Sequence, residues 1–386
     1  MGYVTYSYFY AFLRTCDMKK KSGRLVSLDI FRGLTIAFMI IVNTPGSWQF
    51  VYAPLRHANW HGCTPTDLVF PFFLFIVGVS MWFSLKKYGH ELNGSSILRI
   101  ARRTASIFAL GLFLNIFPYF VRDYTTLRIM GVLQRIALAY GLGALICMSI
   151  NRDYLWIVTA VILLSYWAVL AFLGGADPYS LEGNFVLKVD KLILGSNHLY
   201  KGFGIPFEPE GLFSTIPSIC TVIIGFYAGE LVGKKSESGK NVMKALIIGA
   251  ALVGLGLLWN KFFPINKALW TSSYVLYTAG IALMVLAIIY WLADVIKFQK
   301  WGLFFMVFGT NALFSYFLAG VWTRLMLLIK IPQGGNEINL YTWFYERICV
   351  PVAGNINGSL MFAIIQMLFI WCFALILYKR MILIRL

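Results

Sequence analysis

Apolar runs long enough to cross a bilayer as helices recur from one end of the chain to the other. Residues 27–43, 67–85, 97–118, 129–150, 154–173, 212–232, 242–259, 271–292, 303–321 and 360–378 each read as one span. The segment 322–354 reads as interfacial or as an eleventh, tilted helix. The pattern therefore predicts an all-α, polytopic membrane protein with about ten or eleven transmembrane helices. Two polar stretches break it at length, 43–67 and 174–211, both rich in aromatic residues and proline. Residues 43–67 hold two of the four histidines, wedged between the first two spans. Polar groups that close to a span imply a site.

Composition agrees. Of 386 residues, 59% are hydrophobic and 13% charged, against about 25% charged in soluble domains. The formal charge of +17 comes without a basic helix or an RNA-binding aromatic pattern, so no nucleic acid is expected. Lys and Arg instead gather on alternate loops. That places both termini in the cytoplasm and residues 44–66 and 174–211 on the outer side. The expected division is a cytoplasmic segment, 1–23, and a single transmembrane domain, 24–386. The opening residues lack a signal-peptide pattern, and Met18, followed by three lysines, reads as the natural start. Cys147, Cys220 and Cys372 lie in apolar runs, while Cys63 and Cys349 share the outer side, where a disulfide between them is open. No His/Cys spacing suits zinc, so no metal is expected.

Asp29 and Arg32 stand three apart at the start of the first span, either an interfacial ion pair or an anchor for an anionic ligand. In the first polar stretch, His57 suits general acid–base work. Asp67 either serves the N-terminus of the second helix or holds one nitrogen of His57. Asn43 either ends the first helix or donates to an oxyanion. Arg128, Gln134 and Arg135 bring polarity into an apolar helix, and Arg135 either pairs structurally or grips phosphate. Asn197, His198, Glu208, Glu210, Asn266, Lys267 and Asn311 are further polar positions. Each reads as loop packing or as substrate contact.

In order along the chain, RLVSLDIFRG (24–33), Val42-Asn43, HANWHGCTPTDLVFPFFLFIVG (57–78), GVLQR (131–135), HLY (198–200), EPEG (208–211) and NKALWTSSYV (266–275) resemble the heparan-α-glucosaminide N-acetyltransferases and their bacterial relatives. The resemblance covers nearly everything from Arg24 onward. It implies transfer of an acetyl group from acetyl-CoA across the membrane to the amine of a terminal glucosamine. The family's catalytic histidine falls on His57, with its asparagine on Asn43 and its aspartate on Asp67. His61 stands where the family has asparagine. Against the lysosomal enzymes of that family, a member without a long N-terminal lumenal domain and with a shorter outer segment 174–211 is expected. A bacterial member of the inner (cytoplasmic) membrane is expected, and the acceptor glycan is left open.

The expected chemistry follows from that resemblance. Acetyl-CoA enters from the cytoplasm, its phosphates held by Arg32, Arg102, Arg103, Arg135 or Lys267. Trp60, Asn197, His198, Glu210 and Asn266 contact the acceptor. His57 deprotonates the amine or carries the acetyl group itself. Expected partners are acetyl-CoA, an amino sugar or other glycan and the bilayer, with a homodimer left open. Two other readings stand beside it: a transporter or flippase for a saccharide or lipid-linked sugar, and a sugar O-acyltransferase.

Overall fold

The computed structural model describes residues 25–89, 91–118, 124–234, 238–333 and 336–384. The expected cytoplasmic segment 1–23 and the start at Met18 lie outside them. The helices are α1 Val26–Asn43, α2 Pro65–Leu85, α3 Gly94–Ile116, α4 Val132–Ser149, α5 Arg152–Leu173, α6 Phe185–Leu194 and α7 Thr215–Gly233. Then follow α8 Ser238–Trp259, α9 Ser272–Tyr290, α10 Leu303–Thr310 and α11 Ala312–Leu328. A short antiparallel hairpin, β1 Lys330–Gln333 with β2 Asn336–Asn339, precedes α12 Leu340–Phe344 and α13 Val350–Lys379.

The fold is an all-α membrane bundle. Among the described residues eight helices are long and apolar enough to cross a membrane, nine if the bent pair α10–α11 counts as one span. The predicted third span, α3, is fully helical but carries Arg99, Arg102 and Arg103. Those charges keep it outside the apolar set. The predicted ninth span is not straight: α10 and α11 meet at 70° around Asn311, whose φ of −131° and ψ of 45° leave the helix. The segment 322–354 contains the end of α11, the hairpin and α12, which leads through a π-helical turn at Tyr345–Cys349 into α13. It is part of two helices, not an eleventh span.

α1 is the axis, lying along α10 and flanked by α2, α9 and α13. Its N-terminus is capped from a distance: the Asp294 carboxylate accepts from Val26 N at 3.2 Å and Ser27 N at 2.9 Å. α2 and α7 pack backbone to backbone. A Cβ on Gly78 would fall 2.0 Å from the Val222 carbonyl, and one on Gly225 2.1 Å from that of Phe75. Small residues at these two positions let the helices touch without a hydrophobic drive between them. By contrast α5 and α8 are peripheral, with 22% and 17% of their apolar windows buried.

The second polar stretch is ordered. It holds the amphipathic α6 and builds its own apolar cluster, in which Val186, Leu187 and Phe207 pack with Tyr166, Leu170, Phe263 and Leu269. Cys63 and Cys349 are both free thiols, so the disulfide left open between them does not form.

Candidate active site

The first polar stretch folds over the Asn43 end of α1 and feeds directly into α2. Thr64 precedes α2 and Asp67 is its third residue, a Thr-x-x-Asp capping pattern. The Asp67 side chain is 1% exposed and its two oxygens have different duties. Oδ2 accepts from Ala58 N at 3.0 Å, Thr64 N at 3.1 Å and Thr64 Oγ1 at 3.0 Å, which ties the loop to the helix start. Oδ1 lies 2.6 Å from His57 Nδ1 and 3.4 Å from Lys267 Nζ. The alternatives for Asp67, helix end or partner of His57, are both realised.

This geometry fixes the imidazole. Nδ1 is 2.6 Å from Asp67 Oδ1 and 3.2 Å from Lys267 Nζ. Nδ1 cannot both donate to the carboxylate and accept from the ammonium. The shorter contact assigns the proton to Nδ1, donated to Asp67. Lys267 is then the carboxylate's ion-pair partner. Nε2 is left with its lone pair and no hydrogen bond among the described residues. The His57 side chain is 43% exposed, open enough to meet a ligand.

A chamber of about 90 Å³ opens there, lined by Asn43, His57, Val132, Glu210 and Lys267 among others. Thus His57, Asn43, Glu210 and Lys267, scattered through the sequence, meet at one point, with Asp67 behind. Tyr274, at 0% exposure, holds the Asp67 carbonyl through its hydroxyl at 2.5 Å. Gly62 N donates to Ile265 O at 2.7 Å, so the Lys267 loop and the histidine loop form one unit. Cys63 also lies close, but burial and the Asp67 charge push its thiol up to about 12. It stays protonated at neutral pH and is a poor nucleophile. Burial lowers the pKa of His61, whose Nδ1 sits 3.5 Å from Asn266 Nδ2.

Glu210 reaches the chamber through an ion network. Arg128 forks onto Glu208 at 2.9 and 2.6 Å and also meets Glu210 at 2.8 Å. Burial alone would raise the Glu210 carboxyl; Arg128, Arg135 and Lys267 together hold it below the usual range, as an anion. The Arg128 guanidinium also stacks over Tyr200 at 4.8 Å.

Several predicted site residues lie elsewhere. Arg135 is fully buried, its guanidinium against Ser214 Oγ, 3.2 Å from Gly211 O and 5.0 Å over the Trp270 ring. It joins helices internally. Trp60 packs its indole on Phe203 and Phe207 and donates to Tyr179 O at 2.8 Å, joining the two polar stretches. Asn266 is a turn organiser: its Oδ1 accepts from Leu269 N at 2.8 Å. His198 Nδ1 meets Leu127 O at 2.7 Å, and Asn197 is exposed.

Arg32 and Arg103 lie at the opposite end of α1, in a cavity of about 460 Å³ that Asp29, Arg99 and Asn311 also line. Arg102 is exposed and is not among its lining residues. At the Asn43 end of α1 a second cavity, of about 240 Å³, is lined by Asn43, Asn115, Gln134, Tyr316, Thr323 and Arg324 among others. Residues of α1, α3 and α11 line both of these larger cavities, which stack along the same three helices.

Residues 24–259 match the profile of the family described as heparan-alpha-glucosaminide N-acetyltransferase, catalytic. Two relatives are the heparan-alpha-glucosaminide N-acetyltransferases of Mus musculus and Homo sapiens. The mouse protein is 28% identical over 358 residues, covering 77% of this chain and 53% of its own length. The human protein is 28% identical over 355 residues, covering 76% and 52%. The chain thus spans about half the length of the relatives it matches. The matched region contains His57, Asn43, Asp67 and Glu210, and by it the chain belongs to the heparan-alpha-glucosaminide N-acetyltransferase catalytic family.

Proposed function

We propose that this protein moves an acetyl group from acetyl-CoA to the amine of a glucosamine-type sugar at the His57 end of the bundle. The observation that carries the reading is the His57–Asp67 pair, its Nε2 unbonded among the described residues, on the wall of a chamber that Asn43 and an anionic Glu210 also line. A sugar amine arrives mostly as an ammonium ion, and Glu210 suits that charge. One ammonium proton leaves to solvent and frees the nitrogen lone pair; as that nitrogen attacks the thioester carbonyl, His57 Nε2 takes a second proton. Asn43, whose side chain lines the chamber, donates to the oxyanion. The C–S bond breaks as the amide forms, and His57 returns the proton to the departing thiolate. In a two-step variant Nε2 itself takes the acetyl group and then yields it to the amine.

The donor would lie along α1. From Arg32 to Asn43 the helix rises about 16 Å, and a pantetheine arm, comparable to four or five extended residues, reaches about the same distance. Phosphates near Arg32, Arg99 and Arg103 would therefore leave the thioester at His57. Arg103 has its Nε buried without a partner among the described residues, a donor suited to such an anion. Lys-rich loops support a cytoplasmic location for this donor end, and the membrane of the proposal is a bacterial inner membrane. Acetyl-CoA, the amino sugar and the bilayer are then the partners. No metal takes part in this scheme.

A sugar hydroxyl would have no use for Glu210, which sets N-acetylation above O-acetylation. A transporter would have no use for an Asp-oriented imidazole. Purified protein given radiolabelled acetyl-CoA and a panel of amino sugars should label at least one sugar, and His57→Ala should not. Equal labelling by the variant, or none by either protein, would overturn the proposal.

A further inference from the structure

A groove of about 1130 Å³ runs along the outside of the bundle, far larger than the catalytic chamber. Its walls are the peripheral helices α5 and α8, through Trp156, Leu164, Ile248 and Leu255. Its floor is α7 and α9, through Ile224, Ala228, Leu276 and Leu283. Such a trough among membrane-crossing helices is open to hydrocarbon and too apolar for a sugar or nucleotide.

One end differs. There Arg152, Asp153, Glu230 and Lys234 line the groove. Arg152 Nη1 lies 3.5 Å and Lys234 Nζ 3.1 Å from the same oxygen, Glu230 Oε1. Two cations share one carboxylate, so among the described residues the pair carries one positive charge that Glu230 does not offset. Both side chains are well exposed, Arg152 at 45% and Lys234 at 66%. The Arg152 guanidinium is braced 5.1 Å over the Trp82 ring, which fixes it in position. Asp153, on the first turn of α5, is exposed and has no ion pair among the described residues. The far end is aromatic, with Trp259 and Phe262.

An apolar trough of this depth, closed at one end by a fixed cation pair and an unused carboxylate, matches an amphiphile whose head carries both signs. We propose that the groove is a binding site for phosphatidylethanolamine, with its acyl chains along α5 and α8, its phosphate between Arg152 and Lys234, and its primary ammonium at Asp153. The phosphate supplies the anion that the two cations lack. The ammonium, with three N–H donors, distinguishes this head from a choline head, which has none, and from a glycerol head, which has no charge.

The test is native mass spectrometry of the purified full chain offered equal amounts of phosphatidylethanolamine, phosphatidylglycerol and phosphatidylcholine. Phosphatidylethanolamine should be retained about tenfold over the other two. Asp153→Asn should reduce it to the level of phosphatidylglycerol. The pair Arg152→Gln with Lys234→Gln should lower retention of every phospholipid about tenfold or more, at about 1 kcal/mol per cation. Ala160→Trp, which fills the groove wall and leaves all four charges, should have the same effect and guards against misfolding of the double variant. Equal retention of the three lipids, unchanged retention in the double variant, or a dimer whose formation expels lipid from the groove would each overturn the proposal.

Discussion

The two ends of α1 look alike in sequence and differ in structure. Each carries ionisable groups beside an apolar run: Asp29 and Arg32 at one end, His57 and Asp67 folded over the other. At the first end Arg32 is tethered by the protein while it lines a cavity. It donates to Gly309 O at 3.1 Å and Ser80 Oγ at 2.6 Å, and lies 3.5 Å from Asp29. At the second end the carboxylate is saturated, but the imidazole it holds keeps one nitrogen open. A guanidinium tethered at two nitrogens holds structure and offers an anion only its remaining N–H donors. An imidazole whose orientation is fixed while a lone pair faces a cavity is positioned for chemistry.

The largest test of that contrast is His57→Ala. Acetyl transfer should fall by about two to four orders of magnitude, the usual share of a general base, while the melting temperature in detergent stays close to that of the parent. Asp67→Asn comes next. Turnover should drop by about a hundredfold or more as His57 loses its tautomer. Here stability should drop as well, by about 0.5–2 kcal/mol, since the same group caps α2. Glu210→Gln should raise the acceptor KM about tenfold or more with little effect on the donor KM, because an ammonium loses its counter-charge. An equal rise in both constants would count against the assignment of Glu210.

The smallest effects are on stability alone. Arg32→Gln should cost about 1–3 kcal/mol by leaving buried partners unmet. Turnover should survive at saturating donor, with donor affinity reporting whether the residue also touches phosphate. Asp190 offers a pH test. Burial raises its carboxyl to about 6, although Leu212 N and Phe213 N donate to it. Because the folded value lies above the unfolded one, its contribution is whole below about pH 4 and is lost as pH climbs through about 6. Unfolding temperatures of Asp190→Asn should lack that decline between pH 4 and 7.

Much of this was legible in the chain. The spans follow from hydropathy because lipid demands continuous apolar helices. His57, Asn43 and Asp67 were visible because they sit within one short stretch framed by two spans. What was not legible depends on distance along the chain. Arg135 reads as a phosphate ligand because its partners, Gly211, Ser214 and Trp270, lie some 76 residues onward or more. Lys267 reads as a donor contact, yet it meets His57 and Asp67 across 210 and 200 residues. Trp60 and Asn266 read as substrate contacts because an aromatic or amide side chain gives no sign in sequence of which surface it packs against. The bend at Asn311 has no Pro to announce it, and Gly309, two residues earlier, is of a type that unbroken membrane helices also carry.

Asn311 also bears on how the protein is made. Its amide donates to Ile382 O at 3.0 Å and its carbonyl oxygen accepts from Ile384 N at 2.8 Å. Both partners leave the ribosome about seventy residues later, after α13. During insertion the α10–α11 corner therefore holds a polar amide with neither bond made, and it closes only when the following segment folds back along it. The wall of the cavity beside Arg32 and Arg103 thus sets only after α13 is made, and a nascent chain stalled before Ile382 would carry the complete His57 pair with that cavity still open.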